Sequence, residues 1–426
     1  MTSSPFLLAI LVPLTFSSPL AVAAKETQRA STTQPAARDL GPVLEPLRTK
    51  ADLPGVVAAV VEHGRVVAIG CSGVRKHGDS TPITVDDRMH LGSCTKAMTA
   101  TLAARFVEAG KLRWDSKLAE LFPGVEMKPA WRAVTLEQLL TNRAGAPADL
   151  DADGLWARLC EPKGTHVDQR RELLVGVVAR EPVAPPGTKF LYSNAGFAIA
   201  GHALETLAKS PWEELMQKEL FAPLGITTAG FGAPGTPAKL DQPLGHVGKH
   251  AIDAGPEADN PPAIGPAGTV HMSIADWAKF VALHVEAARA RIANEPSAER
   301  GGTDGGTRPS SPGSSANSPG SGKASAETKP FLTTASFAKL HAVPEGAEND
   351  YAMGWGVASR SWADGPVLTH SGSNTMWFCV TWLAPKKDFA VLVCTNAGGD
   401  DAAKAVDGLV GAVLQDHLAR SKPAAK

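Results

Sequence analysis

Strand-forming runs lie at the two ends of this chain, and the long middle reads as helix. Val56–Glu62 and Arg65–Gly70 are rich in β-branched residues and flank His63-Gly64, the pattern of a hairpin. Trp377–Leu383 and Phe389–Thr395 are nearly continuous apolar runs, as expected of buried strands. Between these ends, Ser93–Ala109 places Met98, Leu102 and Phe106 four residues apart, with Gly110 at the position that ends a helix. Thr135-x-x-Gln138, Ser210-Pro211-x-Glu213 and Ser273-x-x-Asp276 resemble capping boxes that open further helices. Residues 40–50 form an amphipathic pattern, and a last helix spans about Ala402–Leu418. Strands that begin and end a chain make one sheet if they pair, with the helical middle as an insertion.

Three segments stand apart. Residues 294–330 are almost wholly Gly, Ser, Pro, Thr, Ala and charge, cannot bury apolar area, and interrupt a helical region, so they read as a disordered loop insertion. Residues 25–39 read as a polar, disordered leader. The first 24 residues carry no Lys, Arg, Asp or Glu, hold an apolar run from Phe6 to Phe16, and end near Ala21-Val22-Ala23, an A-x-A cleavage pattern. That predicts an export signal over residues 1–24 and a periplasmic or secreted protein. The run is too short and proline-broken for a membrane span, so no stable insertion is expected after cleavage.

Composition removes one class of partner. Lys plus Arg number 42 against 43 Asp plus Glu, so no basic excess marks a nucleic-acid binder. The five cysteines form no C-x-x-C and are odd in number, which favours free thiols. If Lys386-Lys387 is a two-residue turn, Cys379 and Cys394 stand directly opposite on a hairpin, and a cross-strand disulfide is open in an oxidising compartment. There are only two tyrosines, Tyr192 and Tyr351.

Most motif matches dissolve on inspection. G-x-S-x-G and the P-loop are absent. Gly230, Gly232 and Gly235 match a dinucleotide fingerprint, but no buried strand precedes them and Pro234 and Pro237 break the following helix, so they read as a turn. His246-x-x-x-His250 has ligand spacing without acidic partners and reads as a solvated loop. No metal or cofactor is expected.

Ser93-Cys94-Thr95-Lys96 differs. At a helix start, Lys96 shares a face with Ser93, and the first-turn N–H groups favour developing negative charge there. A close amine can deprotonate the hydroxyl. Tyr192-Ser193-Asn194 follows Pro185-Pro186-Gly187 and enters an apolar helix, so its loop can reach a cleft. A phenol serves as a general base where cations lower its pKa, and an amide can hold Lys96 and a substrate carbonyl. His370-Ser371-Gly372-Ser373-Asn374 adjoins the strand at Trp377, and Gly372 allows close approach to a backbone N–H that can face an oxyanion.

In order and rough spacing, these three motifs resemble those of the serine β-lactamase and penicillin-binding superfamily, nearest its class C β-lactamase-like branch of esterases, D-aminopeptidases and DD-peptidases. Leu139–Gly145 is similar to its LLTHTSG segment with Asn142 in place of His. Phe221-x-x-Leu224-Gly225, Gly265–Val270 and Met353–Gly356 resemble further segments, so the likeness covers about residues 40–418. The fold it implies is α/β of the β-lactamase/transpeptidase kind. An antiparallel sheet flanked by terminal helices (residues 40–105 and 331–418) would carry an inserted mainly helical domain (residues 106–293). By this resemblance Ser93 is the acylated nucleophile, Lys96 and Tyr192 share the proton transfers, and Asn194 orients substrate and Lys96. The N–H groups of Ser93 and Ser373 form the oxyanion hole beside His370 and Gly372.

One departure bears on substrate. Lactamases and peptidases of the family usually carry K-T-G or K-S-G where this chain has His370-Ser371-Gly372. Histidine is largely neutral at pH 7, so the anchor for a substrate carboxylate is weakened. The expected activity is cleavage of a small-molecule or peptide ester or amide. A β-lactamase, a peptidoglycan DD-peptidase or D-aminopeptidase, and a non-catalytic binding protein remain as alternatives. Trp355, Trp377 and Trp382 are candidates to line an apolar acyl pocket, with core packing favoured for Trp382.

Overall fold

The two ends of the chain meet along one pair of strands. The computed structural model describes residues 36–161, 163–294 and 330–421, and the elements below belong to a unit spanning Ala37–Lys426. The export signal, most of the leader and nearly all of the 294–330 insertion lie outside the described residues. The main sheet consists of β1 (Arg38–Asp39), β2 (Gly55–Glu62), β3 (Arg65–Gly73), β4 (Gly356–Arg360), β5 (Gly365–Ser373), β6 (Phe378–Ala384) and β7 (Phe389–Thr395). Its order is β1-β3-β2-β7-β6-β5-β4, so the N-terminal hairpin joins the C-terminal strands through β2 and β7.

Every pairing is antiparallel except that of β1 with β3. This short strand corrects the expected leader. Arg38 and Asp39 pair with Ala68 and Ile69, Asp39 accepts the Gly41 N–H at 2.8 Å, and Leu40 is fully buried. A backbone pairing and one buried leucine order residues that composition alone places in a polar tail.

The principal helices are α1 (Gly41–Lys50), α2 (Thr95–Glu108), α3 (His166–Val178), α4 (Asn194–Ala208), α5 (Ile274–Asn294) and α6 (Asp400–Arg420). The sheet is covered on both faces, which explains its unbroken apolar runs. Val56, Ala58 and Val60 pack with α1 and α6, whereas Val57, Ala59 and Val61 share the core of α2 and α5. Period-two alternation sends neighbours on β2 to opposite cores.

Helix α2 is buried on nearly every side. It ends where Gly110 takes φ 67° and the Lys111 N–H bonds back to the Phe106 carbonyl at 3.0 Å, a left-handed stop that glycine adopts at little cost. Helices α3 and α4 are tied by Arg170, whose buried guanidinium reaches Glu205 at 2.7 Å and Glu213 at 2.9 Å. Thr135 and Gln138 form the expected capping box. The other two starts differ. Ser210 donates to Glu214 instead of capping; Ser273 accepts the Asp276 N–H at 3.3 Å, half of the expected box, while the Asp276 carboxylate turns to the N–H groups of Thr227 and Thr228.

The β6–β7 turn runs through Pro385–Lys387 and Asp388, longer than the expected two residues, yet the register still sets Cys379 against Cys394. Both thiols are free. Cys379 Sγ points at the Leu91 carbonyl, 3.2 Å away, and lies 3.6 Å from Cys94 Sγ.

Candidate active site

The nucleophile sits on a tight turn that feeds the central helix. Gly92–Cys94 forms a single 3-10 turn ahead of α2, with Gly92 at φ 46°. Lys96, on the first turn of α2, is fully buried. Its Nζ lies 3.0 Å from Ser93 Oγ, 2.7 Å from Asn194 Oδ1 and 2.9 Å from the Ala267 carbonyl. Burial without a carboxylate partner pushes its pKa down to about 7. A neutral amine has two N–H donors and one lone pair. Asn194 and Ala267 offer only acceptor atoms to Nζ, so they take the two donors, and the lone pair is left for the Ser93 hydroxyl.

The second motif enters α4 as expected. Ser193 caps that helix, which puts Asn194 at its first turn and Tyr192 just outside. Asn142 holds this loop from both sides. Its carbonyl accepts from the Leu191 N–H at 2.8 Å, and its Oδ1 accepts from the Ser193 N–H at 3.0 Å. Asn142 takes φ 57°, a left-handed geometry that asparagine tolerates. The Tyr192 phenol faces the Ser93 hydroxyl, and burial pushes its pKa above the usual phenol range. That upward shift is opposite to the lowering that a base activated by cations requires. Lys96 Nζ lies 4.7 Å from the ring centroid, but with a pKa of about 7 this amine is only partly charged at pH 7.

The third motif presses its backbone onto the nucleophile turn. A Cβ at Gly372 would sit 2.0 Å from the Leu91 carbonyl and 2.8 Å from the Ser93 nitrogen, and one at Gly92 would sit 2.3 Å from the Ser373 nitrogen. Both glycines are therefore required for the two chains to approach, and the approach brings the amides of Ser93 and Ser373 into one cradle. Gly354 serves a related purpose behind it, since a Cβ there would lie 2.5 Å from the Ala97 nitrogen.

His370 is buried. Its Nδ1 lies 2.5 Å from the Ser371 carbonyl, which can only accept, so Nδ1 carries the proton. The bare Nε2 then accepts from the Tyr351 hydroxyl at 3.2 Å. Burial and the nearby Lys96 push the His370 pKa down to about 4, so the ring is neutral at pH 7.

All seven residues singled out in the sequence, Ser93, Lys96, Tyr192, Asn194, His370, Gly372 and Ser373, lie in or beside this cleft. Three participants were missed: the Ala267 carbonyl, Asn142 and Tyr351. Asn142 and the Gly265–Gly268 turn stood out as family-like segments, but nothing local marked them as partners of Lys96 or Tyr192.

The tryptophan expectations are reversed. Trp355 and Trp377 are fully buried in the core. Trp382 is half-buried and lines a groove of about 500 Å³ with Tyr192, Tyr351, His370, Phe378 and Val380. The far end of the groove reaches Ala403 and Asp407 of α6. His246 is likewise no loop residue exposed to solvent. It is buried, with Nδ1 2.6 Å from the Asn396 carbonyl and Nε2 accepting from the His77 N–H at 3.0 Å. Among the described residues, no three His, Cys, Asp or Glu side chains gather as a metal site requires, and no helix is long and apolar enough to cross a membrane.

A half-buried Ser93 beside a fully buried Lys96 at the central helix, a Tyr/Asn loop and a glycine-lined backbone cradle form the arrangement that the motif resemblance implies. The chain matches the family model described as Beta-lactamase over residues 42–415, and it belongs to that family. It is 29% identical over 245 residues to "Penicillin-binding protein 4" of Amycolatopsis lactamdurans, covering 56% of this chain and 61% of that protein. It is 30% identical over 197 residues to "Lovastatin esterase" of Penicillium rubens, covering 41% of this chain and 48% of that protein. The match thus spans less than two thirds of each relative. Among solved structures, D-amino acid amidase from Ochrobactrum anthropi SV3 shares the fold with a TM-score of 0.64 at 17% identity, covering 90% of this chain and 98% of that one.

Proposed function

We propose that this protein is an exported serine hydrolase that cleaves an ester or amide through an acyl-enzyme on Ser93. The observation that carries the reading is the Lys96 amine, buried, near neutral, and 3.0 Å from Ser93 Oγ with its other contacts on acceptors. Ser93 Oγ attacks the carbonyl while its proton passes to Lys96 Nζ. The developing oxyanion rests on the amides of Ser93 and Ser373, where fixed donors act without reorganisation. The leaving group departs with a proton supplied from the Lys96 and Tyr192 pair. Water then attacks the acyl-enzyme, gives up its proton to the same pair, and frees the acid and Ser93. Asn194 keeps Lys96 aimed and faces the substrate carbonyl.

The site supports a neutral substrate with an apolar group. His370 is uncharged and its Nε2 is occupied by Tyr351, so it offers no cation for the carboxylate of a penicillin or a terminal D-Ala. The groove past Tyr192 presents Phe378, Val380 and Trp382 to an acyl or leaving-group chain. A D-aminopeptidase reading has one feature in its favour: Asp407 is the only charged side chain among the residues lining this groove, and it would attract a free substrate ammonium.

The test is a panel of esters, D-amino amides and β-lactams on wild type and Ser93→Ala, with fluorophosphonate labelling of Ser93. Hydrolysis of neutral esters lost in Ser93→Ala is the expected result. Absence of labelling across roughly pH 6 to 9 would instead favour a binding protein that kept the fold. Trp382→Ala should raise KM for long-chain esters by about tenfold and leave acetyl esters unchanged. The apolar run from Phe6 to Phe16 and the Ala21-Val22-Ala23 pattern support export, so the secreted or periplasmic form should begin near Ala24 or Lys25. Intact Met1 on a cytoplasmic protein would remove that part of the reading.

A further inference from the structure

We propose that His90 and Asp259 are positioning residues that hold the two backbone arms of the oxyanion cradle in register, an inference that rests on the acyl-enzyme reading above. The arms come from distant parts of the chain, Gly92-Ser93 and Gly372-Ser373. Their close approach sets how near they can come, because glycine alone fits between them. Steric contact does not stop one arm from sliding along the other. A chain of polar side chains supplies that restraint.

His90 ends the short strand Arg88–His90, and its side chain is fully buried. Its Nδ1 accepts the Gly92 N–H at 3.1 Å, which leaves the ring proton on Nε2. Nε2 sits 2.7 Å from Asp259 Oδ1, and that carboxylate is 4% exposed. The same Oδ1 accepts from Asn374 Nδ2 at 3.2 Å and from the Asn260 N–H at 2.7 Å. Asn374 is itself buried and pinned further, with Nδ2 donating to the Ala258 carbonyl at 3.1 Å and Oδ1 accepting the Met376 N–H at 3.2 Å.

The path Gly92, His90, Asp259, Asn374 therefore starts one residue before Ser93 and ends one residue after Ser373. None of its side chains belongs to the three motifs that carry the chemistry, apart from Asn374 at the end of the third. The His90 and Asp259 side chains are 0% and 4% exposed, so removing one leaves its polar neighbour largely out of reach of water. A carboxylate oxygen that accepts two hydrogen bonds and also touches His90 Nε2 at 2.7 Å is a junction, and its loss should free both arms together.

The test compares Asp259→Ala, Asp259→Asn and His90→Gln. Asp259→Ala should lower kcat for a neutral ester and the rate of fluorophosphonate labelling by about 30- to 100-fold, with KM within about twofold, as a small misplacement of preorganised donors does. Asp259→Asn keeps an acceptor oxygen and should recover most of the loss. Amide hydrogen exchange supplies a readout independent of turnover. Peptides holding Gly92–Cys94 and Gly372–Asn374 should both exchange at least about tenfold faster in Asp259→Ala, while α5 stays protected. If Asp259→Ala does not fold, His90→Gln carries the same readouts. Unchanged exchange in either segment, or a rise in KM with kcat intact, overturns the proposal. A wild-type protein that never labels sinks the acyl-enzyme reading, and the exchange measurement still decides whether the clamp exists.

Discussion

The hydroxyl of Tyr351 donates to Nε2 of His370 at 3.2 Å, so the third motif is a neutral, internally satisfied imidazole. Nothing at this position can hold a substrate carboxylate by charge. Replacing it with the lysine usual among family lactamases and peptidases should restore that anchor. His370→Lys is expected to raise the rate of acylation by a labelled penicillin about tenfold or more relative to a neutral ester, the value of one added charged hydrogen bond. An unaltered preference between the two substrates would show that the missing cation does not set selectivity.

The pH dependence follows from Lys96. Its pKa is lowered to about 7 because burial disfavours the charged form, and only the deprotonated amine can accept the Ser93 proton. Activity should therefore be low below pH 7, rise as the pH passes through 7, and level off above it. A profile of kcat/KM against pH for a neutral ester checks this, and a flat profile through that region would remove Lys96 as the base. Lys96→Arg, which cannot shed its proton at any working pH, should be inactive.

Tyr192→Phe separates the two tyrosines. Tyr351 reaches the same cleft wall, with its ring centroid 6.4 Å from that of Tyr192, but its hydroxyl is committed to His370. It is poorly placed to substitute. Loss of the Tyr192 phenol should cost about 100-fold in kcat with little change in KM, the usual size of a proton-transfer contribution. A variant within twofold of wild type would take Tyr192 out of the proton transfers.

Stability of the helical part should hinge on Arg170. Its side chain is 0% exposed and Glu205, 2.7 Å away, is 1% exposed. Removing Glu205 leaves the buried guanidinium on Glu213 alone and takes the acceptor from the Trp212 N–H, so Glu205→Ala should cost about 3 kcal/mol, read from urea unfolding. Desolvation raises the Glu205 pKa, but His202 and Arg170 outweigh it and the net shift is downward. The sign is that of a carboxylate with a depressed folded pKa: its stabilisation is present above the ordinary carboxylate range and is lost as the pH falls through the folded value.

Much of this protein was legible in the order of its residues because the relevant rules are local. Ser93 and Lys96 share a face because they stand three apart on a helix. Cys379 opposes Cys394 because strand register counts by twos from a turn, and the count survived a turn longer than expected. The β6 and β7 runs announced buried strands. Tyr192, Asn194 and Gly372 were legible only through joint resemblance of several short motifs, since each alone recurs by chance.

What the sequence could not show depends on which surfaces end up covered. Trp382 and Trp377 lie on neighbouring stretches of one segment, yet one lines the groove and the other lies in the core. The capping residues of α4 are local, but the Asn142 clamp on the Tyr192 loop spans about fifty residues. The low pKa of Lys96 comes from its burial among segments from elsewhere in the chain. The sequence by itself determined β2, β3, β6 and β7, the central helix and the serine–lysine pairing, all consequences of backbone periodicity. Tertiary structure alone decided the protonation of Lys96, Tyr192 and His370 and the shape of the groove, because desolvation and shape arise only when distant segments exclude water together.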